Sequence, residues 1–172
     1  DKESKTATVL CNKPECSHSD DHCNAWTNGH SLSAFKGKLY FNNMDYALEN
    51  GKYKNYGEVL YSMELDGTKH DMTQALEFTV NGNSMQNIVK PIIHRGIVYF
   101  AYNGILYGVP LGEDIKNAVK IFGDETKEIT GGITVVNPNA LQYKLWADGD
   151  MVYFMLNLQQ PDKTYKDTLF SY

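Results

Sequence analysis

The sequence predicts an all-β fold, and two observations support this prediction. Short apolar stretches, several of them alternating with polar residues, are bounded by Gly, Asn and Asp, a pattern typical of strands rather than helices. Tyrosine contributes 12 of the 172 residues, and a ring that packs while its hydroxyl reaches water suits a half-buried strand. The segment most like a helix is 112–122, where Ile115, Val119 and Phe122 share helical spacing. We expect no helix longer than about three turns.

A hairpin pattern recurs three times along the chain. It reads "FKGKLYFNN" at 35–43, "HRGIVYFAYN" at 94–103 and "ADGDMVYFMLN" at 147–157, each a glycine-containing turn followed by a strand with Tyr-Phe. The aligned turn glycines are Gly37, Gly96 and Gly149, spaced 59 and 53 residues apart. Further strand patterns flank the hairpins and give four short strands per repeat of roughly 50 residues, the rhythm of a β-propeller blade. A pair of stacked antiparallel sheets with similar hairpins is the alternative interpretation.

The repeat predicts that 1–172 is a single segment of a partial β-propeller with antiparallel four-stranded blades. The predicted parts are an outer strand of a preceding blade at 1–10, a Cys/His loop at 11–30, blades at 31–80 and 81–125, and a truncated blade at 126–172. About three blade-equivalents are fewer than the four to eight that usually close a ring. We therefore expect this segment to belong to a longer propeller chain, with its end blades completed by neighbours.

All three cysteines lie within thirteen residues, in the order Cys11-x4-Cys16-x-His18-x4-Cys23. Three thiols and one imidazole match a Cys3His structural zinc site in ligand type, and the loop-forming residues between them can wrap an ion. His18 is preferred over His22 because it lies between Cys16 and Cys23. Four protein ligands leave no open position for a substrate, so such a zinc ion would be structural. The alternative is one disulfide among the three cysteines with one free thiol, as suits an exported protein.

Two stretches resemble parts of known propellers. The stretch "LYSMELDGT" at 60–68 resembles the strand and turn of the YWTD-type propellers of low-density lipoprotein receptors, although the YWTD tetrad itself is absent. The run "LCNKPECSHSDDHCNAW" at 10–26 is similar to a signature of bacterial surface-lipoprotein propellers, where it follows an outer strand and precedes the next blade. This resemblance implies an exported, membrane-tethered propeller, and it supplies no catalytic residue.

A long insert, "NNMDYALENGKYKNYGE" at 42–58, joins two strands that are linked elsewhere by about four residues. It carries Tyr46, Tyr53 and Tyr56 among amide and glycine residues. Exposed rings can stack on a ligand while amides supply hydrogen bonds, so these tyrosines are candidates for binding a carbohydrate or peptide. The alternative is a long hairpin whose tyrosines pack on their own blade.

Composition and charge exclude some classes of partner. The net charge is −5 with no long run of either sign, so neither nucleic acid nor an anionic membrane surface is an expected partner. We expect an extracellular, cell-surface module that is non-catalytic and binds a ligand or partner, with any lipid anchor outside this segment. A part of a propeller-type glycan hydrolase or lyase and a structural spacer are the alternatives. The enzyme would require candidates such as Asp45, His94, Tyr102, Asp148 and Asp150 to converge in one cleft.

Overall fold

The computed structural model describes ten ranges of the chain. They are 7–20, 22–27, 31–49, 52–76, 78–80, 83–85, 89–102, 105–122, 134–135 and 144–172. Within the strands, the backbone alone is described for 44–49, 52–58, 78–80, 83–85, 89–90, 102, 134–135 and 157–159.

The described residues form fourteen strands and one short 3₁₀ helix. The strands are β1 (Leu32–Phe35), β2 (Lys38–Glu49), β3 (Lys52–Glu64), β4 (Asp71–Ala75), β5 (Phe78–Val80), β6 (Asn83–Met85), β7 (Val89–His94), β8 (Ile97–Tyr102), β9 (Ile105–Pro110), β10 (Val119–Phe122), β11 (Thr134–Val135), β12 (Lys144–Asp148), β13 (Met151–Gln159) and β14 (Tyr165–Ser171). The 3₁₀ helix, Ile115–Asn117, lies in the segment with helical spacing and spans only three residues. The all-β prediction is therefore confirmed. No helix among the described residues has the length and apolar character needed to cross a membrane.

Three antiparallel sheets follow one another along the chain. The first has the order β1-β2-β3-β4 and the second β10-β9-β8-β7, while in the third β13 pairs with β11, β12 and β14. Strands β5 and β6 form a separate two-stranded hairpin. No sheet closes on itself in the described chain, and the propeller arrangement stays a prediction. Residues 7–10 form no strand and residues 1–6 lie outside the described ranges, so the outer strand expected at 1–10 also stays a prediction.

Each sheet contains a hairpin with a two-residue turn, which joins β1 to β2, β7 to β8 and β12 to β13. We call β1, β7 and β12, the strands that precede these turns, the first strands. In the turns Lys36–Gly37 and Arg95–Gly96 both residues have positive φ, at 47° and 79° and at 51° and 81°, as a type I′ turn requires. In the third turn Gly149, with φ 56°, is the first of the two residues rather than the second. The three strand pairs are thus related by 59 and 54 residues, and the glycine alignment predicted from the sequence is wrong by one residue in the third repeat.

The Tyr-Phe pairs occupy the same register position in the three sheets. Tyr40, Tyr99 and Tyr153 lie opposite Ser33, Ile92 and Trp146 on the first strand of each sheet. Consecutive side chains of a strand point to opposite faces, and accordingly Phe100 packs toward the first sheet and Tyr99 toward the third. The predicted opposite orientation of these two side chains is confirmed.

The second sheet lies between the other two, and its two faces form two hydrophobic cores. On one face Val98, Phe100 and Tyr107 pack with Tyr40 and Leu60 of the first sheet. On the other face a second core joins the second and third sheets; its buried members are Tyr99, Ala101, Leu106, Val152, Phe154 and Leu156. The hydrophobic effect on both faces of the middle sheet therefore holds the stack together.

The first strands of the three sheets run beside one another. Strand β7 approaches β1 on one side and β12 on the other, with Cα atoms within 8 Å, and the Ile93 amide donates a hydrogen bond to Ser33 Oγ at 3.0 Å. These strands border an open cleft of about 450 Å³, lined by 31–34, 92–94 and 145–147. The stack therefore exposes one groove along its line of first strands.

Candidate metal centre

The segment that carries the cysteines folds by local turns rather than by strand pairing. The Cys16 amide donates to the Lys13 carbonyl at 3.2 Å, and the Cys23 amide donates to the Asp20 carbonyl at 3.1 Å. Pro, Asn, Ser and Asp favour such turns, and His18 has a left-handed φ of 58°. Successive turns bring the segment back on itself, so residues far apart along the loop point to one place.

The ligand atoms of Cys11, Cys16, His18 and Cys23 all lie within 4.8 Å of one another. Within the cluster, Cys23 Sγ lies 3.5 Å from His18 Nδ1. All three cysteines are free thiols in this structure, and the alternative of one disulfide stays a prediction. The group is partly shielded, because Cys23 is buried and Cys11 and Cys16 are half-buried. These four residues could hold a metal ion.

The second imidazole of the segment points elsewhere. The side chain of His22 is 90% exposed, and its Nδ1 lies 3.5 Å from Asp20 Oδ1. The His22 amide also donates to Asp20 Oδ1 at 3.1 Å, and the Lys13 ammonium donates to the His22 carbonyl at 2.6 Å. The structure therefore places His18, and not His22, among the thiols.

The surroundings shift the pKa values of two of the thiols in opposite directions. The backbone amide of Lys13 donates a hydrogen bond to Cys11 and, with smaller contributions from Asn24, Cys16 and Cys23, lowers the pKa of Cys11 to about 6. Burial has the opposite effect on Cys23 and raises its pKa. A thiolate is the metal-binding form of cysteine, so Cys11 is ready to bind at neutral pH, whereas a cation would assist the deprotonation of Cys23.

The cysteine segment packs on the turn that follows β3. Gly67, with φ +84°, lies so close to the segment that a Cβ added there would sit 2.9 Å from the carbonyl carbon of Leu10 and 3.0 Å from Cys11 Cα. The buried Asn24 amide donates to the Gly67 carbonyl at 3.0 Å. A side chain at position 67 would therefore separate the segment from the first sheet.

A second set of polar contacts joins the end of the segment to β2. The Ser31 amide and hydroxyl both donate to Asn42 Oδ1, at 2.9 and 2.6 Å, and the Asn42 side chain is buried. The Thr27 hydroxyl donates to the Asn42 carbonyl, and the Asn43 amide donates to the Trp26 carbonyl, both at 3.3 Å. Polar groups of the first sheet thus hold the C-terminal end of the segment, from Asn24 to Ser31.

The sequence patterns did not identify Asn24 and Gly67, which join the segment to the first sheet, or His70, which feels the charge of Lys13. The His70 ring stacks on Tyr61 with centroids 4.8 Å apart and on Phe41 with centroids 5.5 Å apart. Burial, and then the charge of Lys13, lower the pKa of His70. The glycine of the "LDGT" stretch, Gly67, is the sequence signal for this contact, because glycine is favoured where two backbones approach closely.

The tyrosine insert forms a long hairpin in its backbone. Strands β2 and β3 pair from Lys38 to Glu49, with a register shift at Asp45 and Tyr46. Tyr46 pairs with Asn55, and Tyr53 pairs with Leu48. The side chains of Tyr46, Tyr53 and Tyr56 lie outside the described side chains, so their predicted role in ligand binding stays a prediction.

The candidates for an enzyme site are partly described. His94 lines the first-strand cleft, and its Nε2 atom is buried without a hydrogen-bond partner among the described residues. Asp150 instead pairs with Arg95 between the second and third hairpin turns. Asp148 is exposed at the end of β12, and the side chains of Asp45 and Tyr102 lie outside the described ones. Among the described candidates, His94 is therefore the one that lines the cleft.

The fold and the cluster together define an all-β protein with a candidate Cys3His metal centre beside the turn that follows β3 of its first sheet. No family model, no curated protein and no solved structure matched this chain.

Proposed function

We propose that Cys11, Cys16, His18 and Cys23 bind one zinc ion. The observation that supports this proposal is the convergence of three free thiols and one imidazole within 4.8 Å. In a tetrahedral site with Zn–S near 2.3 Å and Zn–N near 2.0–2.1 Å, ligand atoms are about 3.5–3.8 Å apart. The cluster therefore needs only a small contraction around an ion.

The zinc ion has a structural role in this proposal. Four protein ligands complete a tetrahedral site and leave no position for a substrate or an activated water. The cysteine segment contains no strand of its own, and it contacts the first sheet through Gly67 and Asn24. A cross-link at the metal would hold the segment in these contacts. Without it, ordering the segment would cost conformational entropy that its few buried apolar groups offset only in part.

Elemental analysis and thiol titration of the same sample test the zinc proposal. Protein purified without added metal should contain one equivalent of zinc and, after denaturation with a chelator, three titratable thiols. The matched pair of variants is His18→Ala and His22→Ala: the first should lose most of the zinc and the second should keep it. One free thiol with no metal would show that a disulfide joins the segment instead.

We further propose that the sheets are part of a β-propeller that serves as an exported, cell-surface binding module. The support is the stack of three antiparallel sheets, which repeats one register and one pairing of faces. The resemblance of the cysteine segment to surface-lipoprotein propellers supports an extracellular location, with a lipid anchor outside this segment. In this proposal Tyr46, Tyr53 and Tyr56 extend on the β2–β3 hairpin and bind a carbohydrate or peptide.

A glycan and peptide array probed with the intact chain tests the binding proposal. A bound class of ligand should be lost in a variant with Tyr46, Tyr53 and Tyr56 all changed to Ala. The control is Tyr165→Ala, since Tyr165 is exposed on another sheet. Equal binding by the triple variant and the control would remove these tyrosines from the proposed site.

A further inference from the structure

A buried side-chain amide lies between the first and second sheets. Gln74, in β4, is 6% exposed, and its Oε1 accepts a hydrogen bond from the Gly112 amide at 2.9 Å. Because that backbone amide is a donor, the contact fixes which way the side-chain amide points. The other polar atom of the side chain, Nε2, is buried and has no hydrogen-bond partner among the described residues. A buried donor without an acceptor destabilises a fold, so Nε2 requires an explanation beyond packing.

The second sheet carries an apolar residue at the equivalent position. Leu60 and Leu106 hold the same place relative to the aligned tyrosines of their sheets. Gln74 lies opposite Leu60, and Phe122 lies opposite Leu106, each beside a register shift of the outer strand. Phe122 packs on the second core, with its ring centroid 4.6 Å from that of Phe170. The sheet stack therefore accepts an apolar side chain at this register position, and the amide of Gln74 favours a role in binding.

Gln74 lines an open cleft between two walls of the chain. The cleft has a volume of about 480 Å³ and is lined by 73–75 of β4 and by 112–116, the turn and the start of the 3₁₀ helix after β9. This volume is typical of small-molecule sites, which span roughly 300–1,000 Å³. Both walls belong to sheets that have four described strands each. The cleft is therefore formed within this chain.

The rim of the cleft adds hydrogen-bond acceptors to the buried donor. Glu113 and Asp114 are exposed at the rim, beside the exposed Lys116. The Lys116 amide donates to Asp114 Oδ1 at 2.9 Å, and a carboxylate accepts several hydrogen bonds. An anionic ligand would face two carboxylates and one ammonium group, and a hydrocarbon would leave Nε2 of Gln74 without an acceptor. A neutral ligand with several hydroxyl groups supplies both the acceptor and the donors that the cleft requires.

We propose that this cleft binds one sugar unit of a carbohydrate. Nε2 of Gln74 donates to a ligand oxygen, and the Glu113 carboxylate accepts from a ligand hydroxyl group. Nε2 exposes almost no surface to water, so the ligand displaces a side chain of the wall. Exposed side chains such as Lys116 change rotamer within nanoseconds, so this displacement is not a kinetic barrier. The proposal depends neither on the zinc ion nor on the tyrosines of the β2–β3 hairpin.

Nuclear magnetic resonance of the intact chain tests the site with glucose, galactose, mannose and N-acetylglucosamine as probes. The side-chain amide signals of Gln74, assigned by their loss in Gln74→Met, should shift saturably with at least one of these sugars. The dissociation constant should lie below about 10 mM, and the backbone amide signals of 112–116 should shift with the same constant. Absence of a shift with every sugar would mean that water alone fills the cleft, and would overturn the proposal.

The variant with Tyr46, Tyr53 and Tyr56 changed to Ala separates this cleft from the hairpin. That variant should keep the shifts of Gln74 and of 112–116, even if it loses the ligand found by the array. Loss of the Gln74 shifts in this variant would assign the sugar to the hairpin and overturn the proposal for the cleft.

Gln74→Met removes the buried donor while keeping a side chain of similar length. The control is Gln160→Met, at a half-buried glutamine between β13 and β14. Gln74→Met should weaken sugar binding about tenfold or more, because the ligand loses a hydrogen bond, whereas the control should bind as the unchanged chain does. The urea midpoint of Gln74→Met should be equal or higher, since an unsatisfied buried donor has been removed. A lower midpoint with unchanged sugar affinity would give Gln74 a purely structural role and contradict the proposal.

Glu113→Ala decides the question if circular dichroism shows that Gln74→Met is unfolded. Glu113 is exposed, and the substitution keeps the hydrogen bond from its backbone amide to the Pro110 carbonyl. Sugar affinity should fall about threefold or more, because a charged acceptor at the rim is lost. Equal affinity of Glu113→Ala and the unchanged chain would overturn the proposed site.

Discussion

The middle sheet and the cysteine segment of this protein are held in place by different forces. The middle sheet buries apolar side chains on both faces, and Phe100 on one face and Ala101 on the other are fully buried. The cysteine segment has Cys23 as its buried apolar residue and otherwise relies on turns, on polar contacts to the first sheet and on the cluster of thiols. Long-range apolar burial fixes the first region, whereas local ligation can fix the second without a core of its own.

The difference implies that the two regions can be broken independently. Removing a core side chain should lower the free energy of unfolding of the whole stack, because the sheets share their two cores. Removing a contact of the cysteine segment should instead loosen one loop and lower metal affinity, while the sheets persist as the more stable cooperative unit.

The largest expected effect is that of Phe100→Ala. The Phe100 side chain is fully buried between the first and second sheets and stacks on Tyr107 with centroids 5.4 Å apart. Its truncation should lower the free energy of unfolding by about 3–5 kcal/mol, because the transfer free energy of the ring is lost and a cavity is left behind. Urea unfolding followed by circular dichroism measures the change.

An exposed aromatic provides the control for Phe100→Ala. Tyr165, at the start of β14, is 56% exposed, and Tyr165→Ala should change the free energy of unfolding by less than about 0.5 kcal/mol. Similar losses from both variants would mean that the two cores do not hold the stack. The folded fraction of Phe100→Ala should still bind zinc, because the cluster lies outside both cores.

A smaller effect, confined to the cysteine segment, is expected for Gly67→Ala. The new Cβ would lie 2.9 Å from the Leu10 backbone, where little can move aside, and φ at this position is +84°. Gly112→Ala is the matched control, since its φ is +89° and nothing lies within 4 Å of the new Cβ. Positive φ alone costs about 1 kcal/mol in both variants.

The comparison of the two glycine variants isolates the contact between segment and sheet. Gly67→Ala should raise the zinc dissociation constant at least tenfold in a competition assay with a chromogenic chelator, whereas Gly112→Ala should leave it unchanged. Hydrogen exchange should speed up at 22–26 in the first variant only. Equal zinc affinity in the two variants would show that the segment ligates metal without docking on the first sheet.

The hairpins and the composition of the metal cluster could be predicted from the sequence because both are local. A two-residue turn is encoded by adjacent residues such as Arg95–Gly96, and four ligands within thirteen residues can meet through turns of the same loop. The third hairpin shows the limit of this approach: Gly149 takes the first turn position rather than the second, so aligning glycines misplaces the register by one residue. A glycine marks a turn but does not say which of its positions it fills.

The contacts between distant parts of the chain could not be predicted in the same way. Asn24 reaches Gly67 across 43 residues, and no periodicity links a loop asparagine to a turn glycine. The order in which the three sheets pack likewise depends on contacts between residues far apart in the sequence. Alternation indicates that Tyr99 and Phe100 face opposite sides, but only the packed sheets show that Leu60 and Leu106 are buried where Leu169 is exposed.

The smallest expected effect concerns the chemistry of one thiol. With the metal removed, Cys11 should be the first cysteine to react with iodoacetamide, because its pKa is lowered from 9.0 to about 6 and the thiolate is the nucleophile. The rate of Cys11 alkylation, followed by mass spectrometry of peptides, should rise with pH to a half-maximum near pH 6. Cys23 should react more slowly and at higher pH, since burial raises its pKa.

The sign of the shift also predicts how pH affects the loop. The Cys11 pKa is lower in the folded loop than its usual 9.0, so the thiolate stabilises the loop fully above about pH 9, and this contribution is lost as pH falls through about 6.

The backbone amide of Lys13 is the main cause of the shift, and Lys13→Ala retains that amide. The half-maximum of the Cys11 alkylation rate should therefore stay near pH 6 in the Lys13→Ala variant. A half-maximum near 9.0, the usual thiol pKa, would mean that the lysine ammonium, and not the backbone, stabilises the Cys11 thiolate.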